Sequence, residues 1–263
     1  ESTTRPLDKP GNIAVKGRQL LTADDLGVHS YLGWEPASEL LASRMDADPA
    51  DPSHAVAFAQ LAHRSGATER VVWAVDRALS AIERDALDPR LDLERDRLFR
   101  VLLAMIDPAA AEDAGLEPLG DELRRELEPR LARAASGGEQ RVRHLLASAR
   151  LAEATDNPPR AVDAYQAVLG SPALSAAPYE AGGQRRSARS VATERLLRLI
   201  GLAGRSVYAP YDAEAQAALA AIAASDATPA ERSAEYRSAA ERYPASEHAA
   251  GAWLDAARAA REA

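Results

Sequence analysis

A chain of 263 residues with a formal net charge of −8 and no cysteine is excluded from several classes at once. The acidic balance disfavours general binding to polyanions, which rests on neutralising phosphates. The missing cysteines rule out disulfides, thiolate metal sites and cysteine nucleophiles, and no apolar run approaches the roughly 20 residues that span a bilayer.

Residues 1–10, "ESTTRPLDKP", carry two prolines and no periodicity, and read as coil. In "GNIAVKG", Ile13 and Val15 alternate with Asn12, Ala14 and Lys16, the period-two pattern of a strand with one buried face. "KG" then reads as a turn, "RQLLTA" as a second strand, "DDLG" as another turn and "VHSYL" as a third strand. Three strands alone are marginal in water, so they are expected to belong to a larger sheet or to pack on something. The only lysines are Lys9 and Lys16, and the strand-like text stops near Trp34. A boundary is placed there, dividing the chain into 1–34 and 35–263. The chain begins at Glu1 rather than a methionine and reads as a trimmed or excised piece of something longer.

From Glu35 onward, segments of helical periodicity alternate with Gly, Pro and Asp breaks. Pro36 suits a first helical turn, Pro49 and Pro52 stop that helix, and Gly66 closes the next. Val71, Val75, Ala78 and Ile82 form one stripe, and Leu98, Leu102 and Met105 form another that ends at Pro108. Leu119, Leu123, Leu127 and Leu131 recur four apart, with Pro129 expected to kink or restart the helix. Two helices are expected over "EQRVRHLLASARLAEATDN" and "PPRAVDAYQAVLG". "SPALSAAPYEAGG" is less regular and holds either a short helix or a loop. "QRRSARSVATERLLRLIGLAG" reads as helical with Val191, Leu197 and Ile200 inward. Three further helices complete the chain, the last capped by Ser246.

No single segment carries enough large apolar residues to be stable alone, so each must be covered by its neighbour. The fold class is therefore all-α, a solenoid of antiparallel helical hairpins preceded by a short β segment. Several hairpins resemble the 34-residue tetratricopeptide repeat. Ala149, Ala161 and Tyr165 fall at its small and aromatic positions, as do Tyr236, Ala239 and Pro244, with Ala59, Gly66 and Ala78 matching more loosely. The opening stretch, with Asp25, Gly27, Val28 and Tyr31, resembles the outer strands of a blade in PQQ-binding-like β-propellers. The tail resembles the helical segment that a family of large bacterial proteins joins to such propellers. Arg205, Tyr208, Tyr211, Ala215, Tyr236, Tyr243, Pro244, Ser246 and Ala249 are its skeleton here. The resemblance implies the helical repeat module of a propeller-containing protein, used for contacts, with a lean towards the periplasm or cell envelope of a bacterium. It carries over no quinone-cofactor residues.

Chemistry is sparse. The five histidines, His29, His54, His63, His144 and His248, are scattered and form no H-x-x-x-H pair. There is no G-x-S-x-G elbow, no Walker loop and no G-x-G-x-x-G. Acidic residues alternate with arginine as on a solvated helix face. Arg185, Arg186 and Arg189 gather at an expected helix start, with Arg195 and Arg198 beyond, as an anion or acidic-partner contact or as a solvated face paired with carboxylates. Tyr208 and Tyr211, either side of Pro210, either brace a connection or stand exposed for binding. Trp73, Phe99, Tyr165 and Tyr236 are expected to pack. The expectation is a non-catalytic protein–protein interaction or scaffold module, with no cofactor, no metal and no nucleic acid. Its partner would be another protein, another part of the parent chain or a second copy. Binding of an anionic ligand or acidic partner through the arginines is the alternative, and an enzyme completed by absent domains a third reading without a residue to carry it.

Overall fold

The computed structural model describes residues 12–16, 19–24, 27–85, 88–117, 119–181 and 184–263. Helix dominates it, with thirteen α-helices and five strands among the described residues. The chain divides into two compact units, Glu1–Val101 and Leu102–Ala263.

In the first unit, β1 (Asn12–Lys16), β2 (Gln19–Asp24) and β3 (Gly27–Leu32) form an antiparallel sheet in chain order. Ile13 stands opposite Thr22 and Leu20 opposite Tyr31. The coil expected over residues 1–10, and the turn positions Gly17 and Asp25, lie outside the described residues. Helix α1 (Trp34–Ala47) begins where the strand-like text stops, with Pro36 in its first turn. Helix α2 (Ser53–Arg64) ends at Gly66, whose φ of 75° places it in the left-handed region. The Ala67 N–H then donates back to the Ala62 carbonyl at 2.9 Å, satisfying an end that would otherwise lack a partner. A 3-10 turn at Thr68–Arg70 leads into α3 (Val71–Arg84).

Helix α2 packs on α1 and on α3. The stripe of Val71, Val75, Ala78 and Ile82 is buried as its periodicity requires. Phe58 is fully buried, with its ring edge-on to Trp34 at 5.5 Å and to Trp73 at 5.2 Å. Trp73, expected to pack inward, is 40% exposed. One side of its ring meets Phe58, and the guanidinium groups of Arg70 and Arg77 lie 5.8 and 5.7 Å from its centre. The division between units falls within α4 (Arg90–Ile106), where Leu98, Leu102 and Met105 are buried.

Near the start of the second unit a proline does two things. Pro108 cannot continue α4, and it is the first residue of α5 (Pro108–Asp113), where its missing N–H costs nothing. Helix α6 (Asp121–Ala134) is a single element through Pro129, so of the expected kink or restart, the restart is not observed. Pro129 lies on the exposed side of the helix. Helices α7 (Gly138–Ala154) and α8 (Pro158–Leu169) form a hairpin across a tight turn. Asp156 takes φ 52°, the Asn157 N–H donates to the Ala152 carbonyl, and the Asn157 side chain caps α8 at the Arg160 N–H.

The passage after α8 holds the short helix that was one of its two readings, but strand where helix was expected from Gln184. A short α9 (Pro172–Ala176) is followed by an antiparallel hairpin of β4 (Pro178–Ala181) and β5 (Gln184–Ser187). Helix α10 (Ala188–Ala203) starts only after it, with the Ser187 hydroxyl accepting from the Ser190 N–H. Leu197, expected inward, is 51% exposed, while Leu196 and Leu199 are buried with Val191 and Ala192. Each residue turns about 100° around a helix, so only one of two adjacent leucines can follow the stripe that Ala188 and Val191 begin.

A 3-10 turn at Arg205–Tyr208 joins α10 to α11 (Ala209–Ala223). Helix α12 (Pro229–Arg242) opens with a reciprocal cap between Thr228 and Glu231 and packs closely on α13 (Ala249–Glu262). Ser246 lies two residues before the His248 cap position of α13, and its hydroxyl accepts from the His248 N–H at 3.2 Å. The main core of this unit joins Val142, Leu146 and Ala149 of α7, Ala161, Val162 and Tyr165 of α8, and Val191 and Leu196 of α10.

Truncating the most enclosed ring of the first unit tests this packing. Phe58→Ala is expected to destabilise the chain by about 3–5 kcal/mol. Urea unfolding followed by tryptophan fluorescence checks it, since Trp34 and Trp73 both report on that site.

Candidate functional site

The second unit contains a cleft of about 590 Å³. Its base is set by Asp107. The side chain of Asp107 caps α5 by accepting from the Ala109 N–H, and the same carboxylate accepts two hydrogen bonds from Arg150 of α7. Asp107 is 4% exposed. Burial works against the charge of Arg150, but the adjacent carboxylate and the Tyr179 hydroxyl more than offset it, so its guanidinium is held more firmly protonated than usual. Tyr179 comes from β4, and Leu103 and Val191 supply apolar lining.

Around this base, α5 supplies Glu112 and Asp113, and β4 supplies Glu180. Helix α7 supplies Arg143, β5 supplies Arg186, and α10 supplies Glu194 and Arg195. Two of these charges neutralise each other, since Arg186 pairs with Glu194 at 2.6 Å. Arg143 pairs with Glu139 one turn back on its own helix, at 2.8 Å. Among the described residues, Arg195, Glu112, Asp113 and Glu180 have no ion-pair partner.

The arginine cluster read from the sequence is dispersed. Arg185 and Arg186 lie on strand β5 rather than at a helix start, and Arg189 alone sits in the first turn of α10. Arg185 is exposed opposite Glu180 across the hairpin, and Arg186 lines the cleft opposite Tyr179. Arg189 reaches away to Ser175 at 3.2 Å and to Glu241 of α12 at 2.5 Å. The three do not meet at one site, because two of them fall on an element with a different period.

The two tyrosines brace. Tyr208 is fully buried, and its hydroxyl donates to Gln166 Oε1 at 2.9 Å. The Gln166 amide in turn donates to the Arg242 carbonyl at 2.6 Å, joining α8 to the end of α12. Tyr211 donates to Asp163 at 2.7 Å, and its ring lies 5.4 Å from that of Tyr208. Burial raises the pKa of both hydroxyls, helped at Tyr211 by the Asp163 carboxylate, so both remain protonated donors. Arg205 completes the brace with Asp212, Glu247 and the Ala245 carbonyl.

A second buried carboxylate escaped the sequence reading. Glu128 of α6 is buried and accepts from His144 of α7 at 2.7 Å and from Arg160 of α8 at 2.6 Å. The hydrogen bond from His144 is the largest influence on its pKa and lowers it against the effect of burial, with Ser148 and Arg160 acting the same way. Among the described residues, no group of three or more His, Asp and Glu side chains has metal-binding geometry. No helix there is long and apolar enough to cross a membrane. No protein-family model, curated protein or solved structure matches the chain.

Two outcomes follow from the buried polar pairs. Tyr208→Phe strands the Gln166 acceptor and is expected to cost about 1–3 kcal/mol, measured by urea denaturation. Because the Glu128 carboxyl is depressed in the folded chain, its contribution is present above the unfolded glutamate value and is lost as pH falls through the folded value. The stability gap between the unmodified chain and Glu128→Gln should therefore be steady near neutrality and narrow below about pH 4. Denaturation curves at a series of pH values check this; a gap that widens in acid contradicts it.

Proposed function

We propose that the chain is a non-catalytic scaffold or protein–protein interaction module, a tetratricopeptide-like helical repeat segment of a larger propeller-containing bacterial protein. Packing between helices close in sequence supports the solenoid reading. In the first unit α1 covers α2 and α2 covers α3; in the second, α7 covers α8, α8 covers α10 and α12 covers α13. Four of the small residues assigned to crossings support the repeat reading, since Ala59, Ala78, Ala149 and Ala161 are fully buried, whereas Ala239 is half-buried. The three-stranded meander of β1–β3 is compatible with the outer strands of a propeller blade.

One observation carries the functional reading. Helix α13 seals its inner face with Ala252, Ala256 and Ala259 and presents Trp253 and Leu254 outward, 46% and 60% exposed. Large apolar side chains held on a fixed helix lose little further freedom when covered, and tryptophan is enriched among residues that dominate binding energy. Burial of a standard interface of about 1,600 Å² around them suffices for a stable complex. The partner is another protein, another part of the parent chain or a second copy.

Trp253→Glu and Leu254→Glu, introduced separately, test this reading. Each is expected to weaken the complex, or the self-association, of the purified chain at least tenfold in sedimentation analysis, with helical content unchanged by circular dichroism. A complex indifferent to both, or a chain that forms none, overturns the reading.

A further inference from the structure

The charges of the cleft in the second unit separate by element once internal pairs are set aside. The half-buried arginines Arg143 and Arg195 come from α7 and α10, whereas the exposed carboxylates Glu112, Asp113 and Glu180 come from α5 and β4. Arg195 has no ion pair among the described residues, and the pair of Arg143 with Glu139 is solvent-exposed and easily exchanged. The cleft therefore offers two guanidinium groups, from α7 and α10, and three exposed carboxylates, from α5 and β4. Its size, about 590 Å³, suits a small-molecule ligand.

We infer that this cleft binds a short zwitterionic peptide, its terminal carboxylate on Arg195 and Arg143 and its ammonium group towards Glu112, Asp113 and Glu180. A planar guanidinium matches a carboxylate through paired hydrogen bonds, and the contact strengthens where water is partly excluded. A multiply charged anion such as phosphate fits less well, because the carboxylates oppose it. A simple cation meets the arginines instead. Only a ligand with both signs satisfies both sets. The Arg150–Asp107 pair and Tyr179 are already satisfied by one another, so they shape the base rather than supply the charge for binding. The inference is independent of the α13 surface, and substitutions there leave it untouched.

Native mass spectrometry of the full chain with a random tetrapeptide library bearing free termini tests it. Three comparisons accompany it: the same library C-terminally amidated, the same library N-acetylated, and inorganic phosphate. The free library is expected to give one-to-one adducts. Amidation, or Arg195→Ala, should reduce them at least tenfold. Acetylation, or Glu112→Gln with Asp113→Asn, should reduce them less, because these carboxylates are exposed. Circular dichroism of the variants confirms that the fold survives. Absence of adducts, equal retention of the amidated library, or tighter retention of inorganic phosphate overturns the inference.

Discussion

Asp107 has to serve two elements at once. It follows α4 and caps α5, and it neutralises Arg150 across a gap in sequence that no local pattern bridges. A buried charge left without its partner is strongly destabilising, far more than the net worth of the pair. That asymmetry ties the position of α5 to that of α7. It also explains why the cleft has a polar base that nevertheless offers no net charge. Glu128 imposes the same kind of constraint one layer along, since its single carboxylate meets His144 of α7 and Arg160 of α8. Two carboxylates thus set the relation of four helices, and the alanines between them need only fill space.

That division of labour suits the composition. Alanine contributes helix propensity and close approach but little apolar surface, so α7, α8 and α10 rely on a few large residues, Leu146, Tyr165 and Leu196, for burial. Tyr165 also donates to Glu153, so the largest side chain of α8 in this core is anchored at its polar end. The Tyr208–Gln166–Arg242 chain plays the corresponding part further along, joining α8 to the end of α12 where apolar contact is thin. Polar links in this unit stand where large apolar residues would otherwise be required.

The elements whose period was continuous were legible in the sequence. Ile13 and Val15 gave the first strand, and Val71 to Ile82 and Leu98 to Met105 gave buried stripes because the pattern ran for several turns. What failed was local. Adjacent leucines at 196 and 197 leave the stripe ambiguous by one position, and only packing against α8 selects Leu196. Pro129 was expected to kink or restart its helix, and α6 runs through it as one element. The cleft was illegible for a different reason: Asp107, Arg143, Tyr179 and Arg195 come from four elements, and no spacing in the chain foretells their meeting. A weak sign did exist in Arg143 and Arg150, which fall two turns apart on one face of α7.

The fate of the arginine cluster shows how much rests on assigning the right period. On a helix, Arg185, Arg186 and Arg189 would share part of one surface at an end that already favours anions. On a strand, successive side chains point to opposite faces, so Arg185 and Arg186 cannot serve one ligand. The hairpin that separates them also brings Tyr179 and Glu180 to the cleft, with Arg186 held there by Glu194. Ser187, the last residue of the strand, also caps α10, which fixes where Glu194 and Arg195 emerge two turns later. The short hairpin therefore removes one apparent anion site and, through the register of the helix that follows, places the arginine on which the other depends.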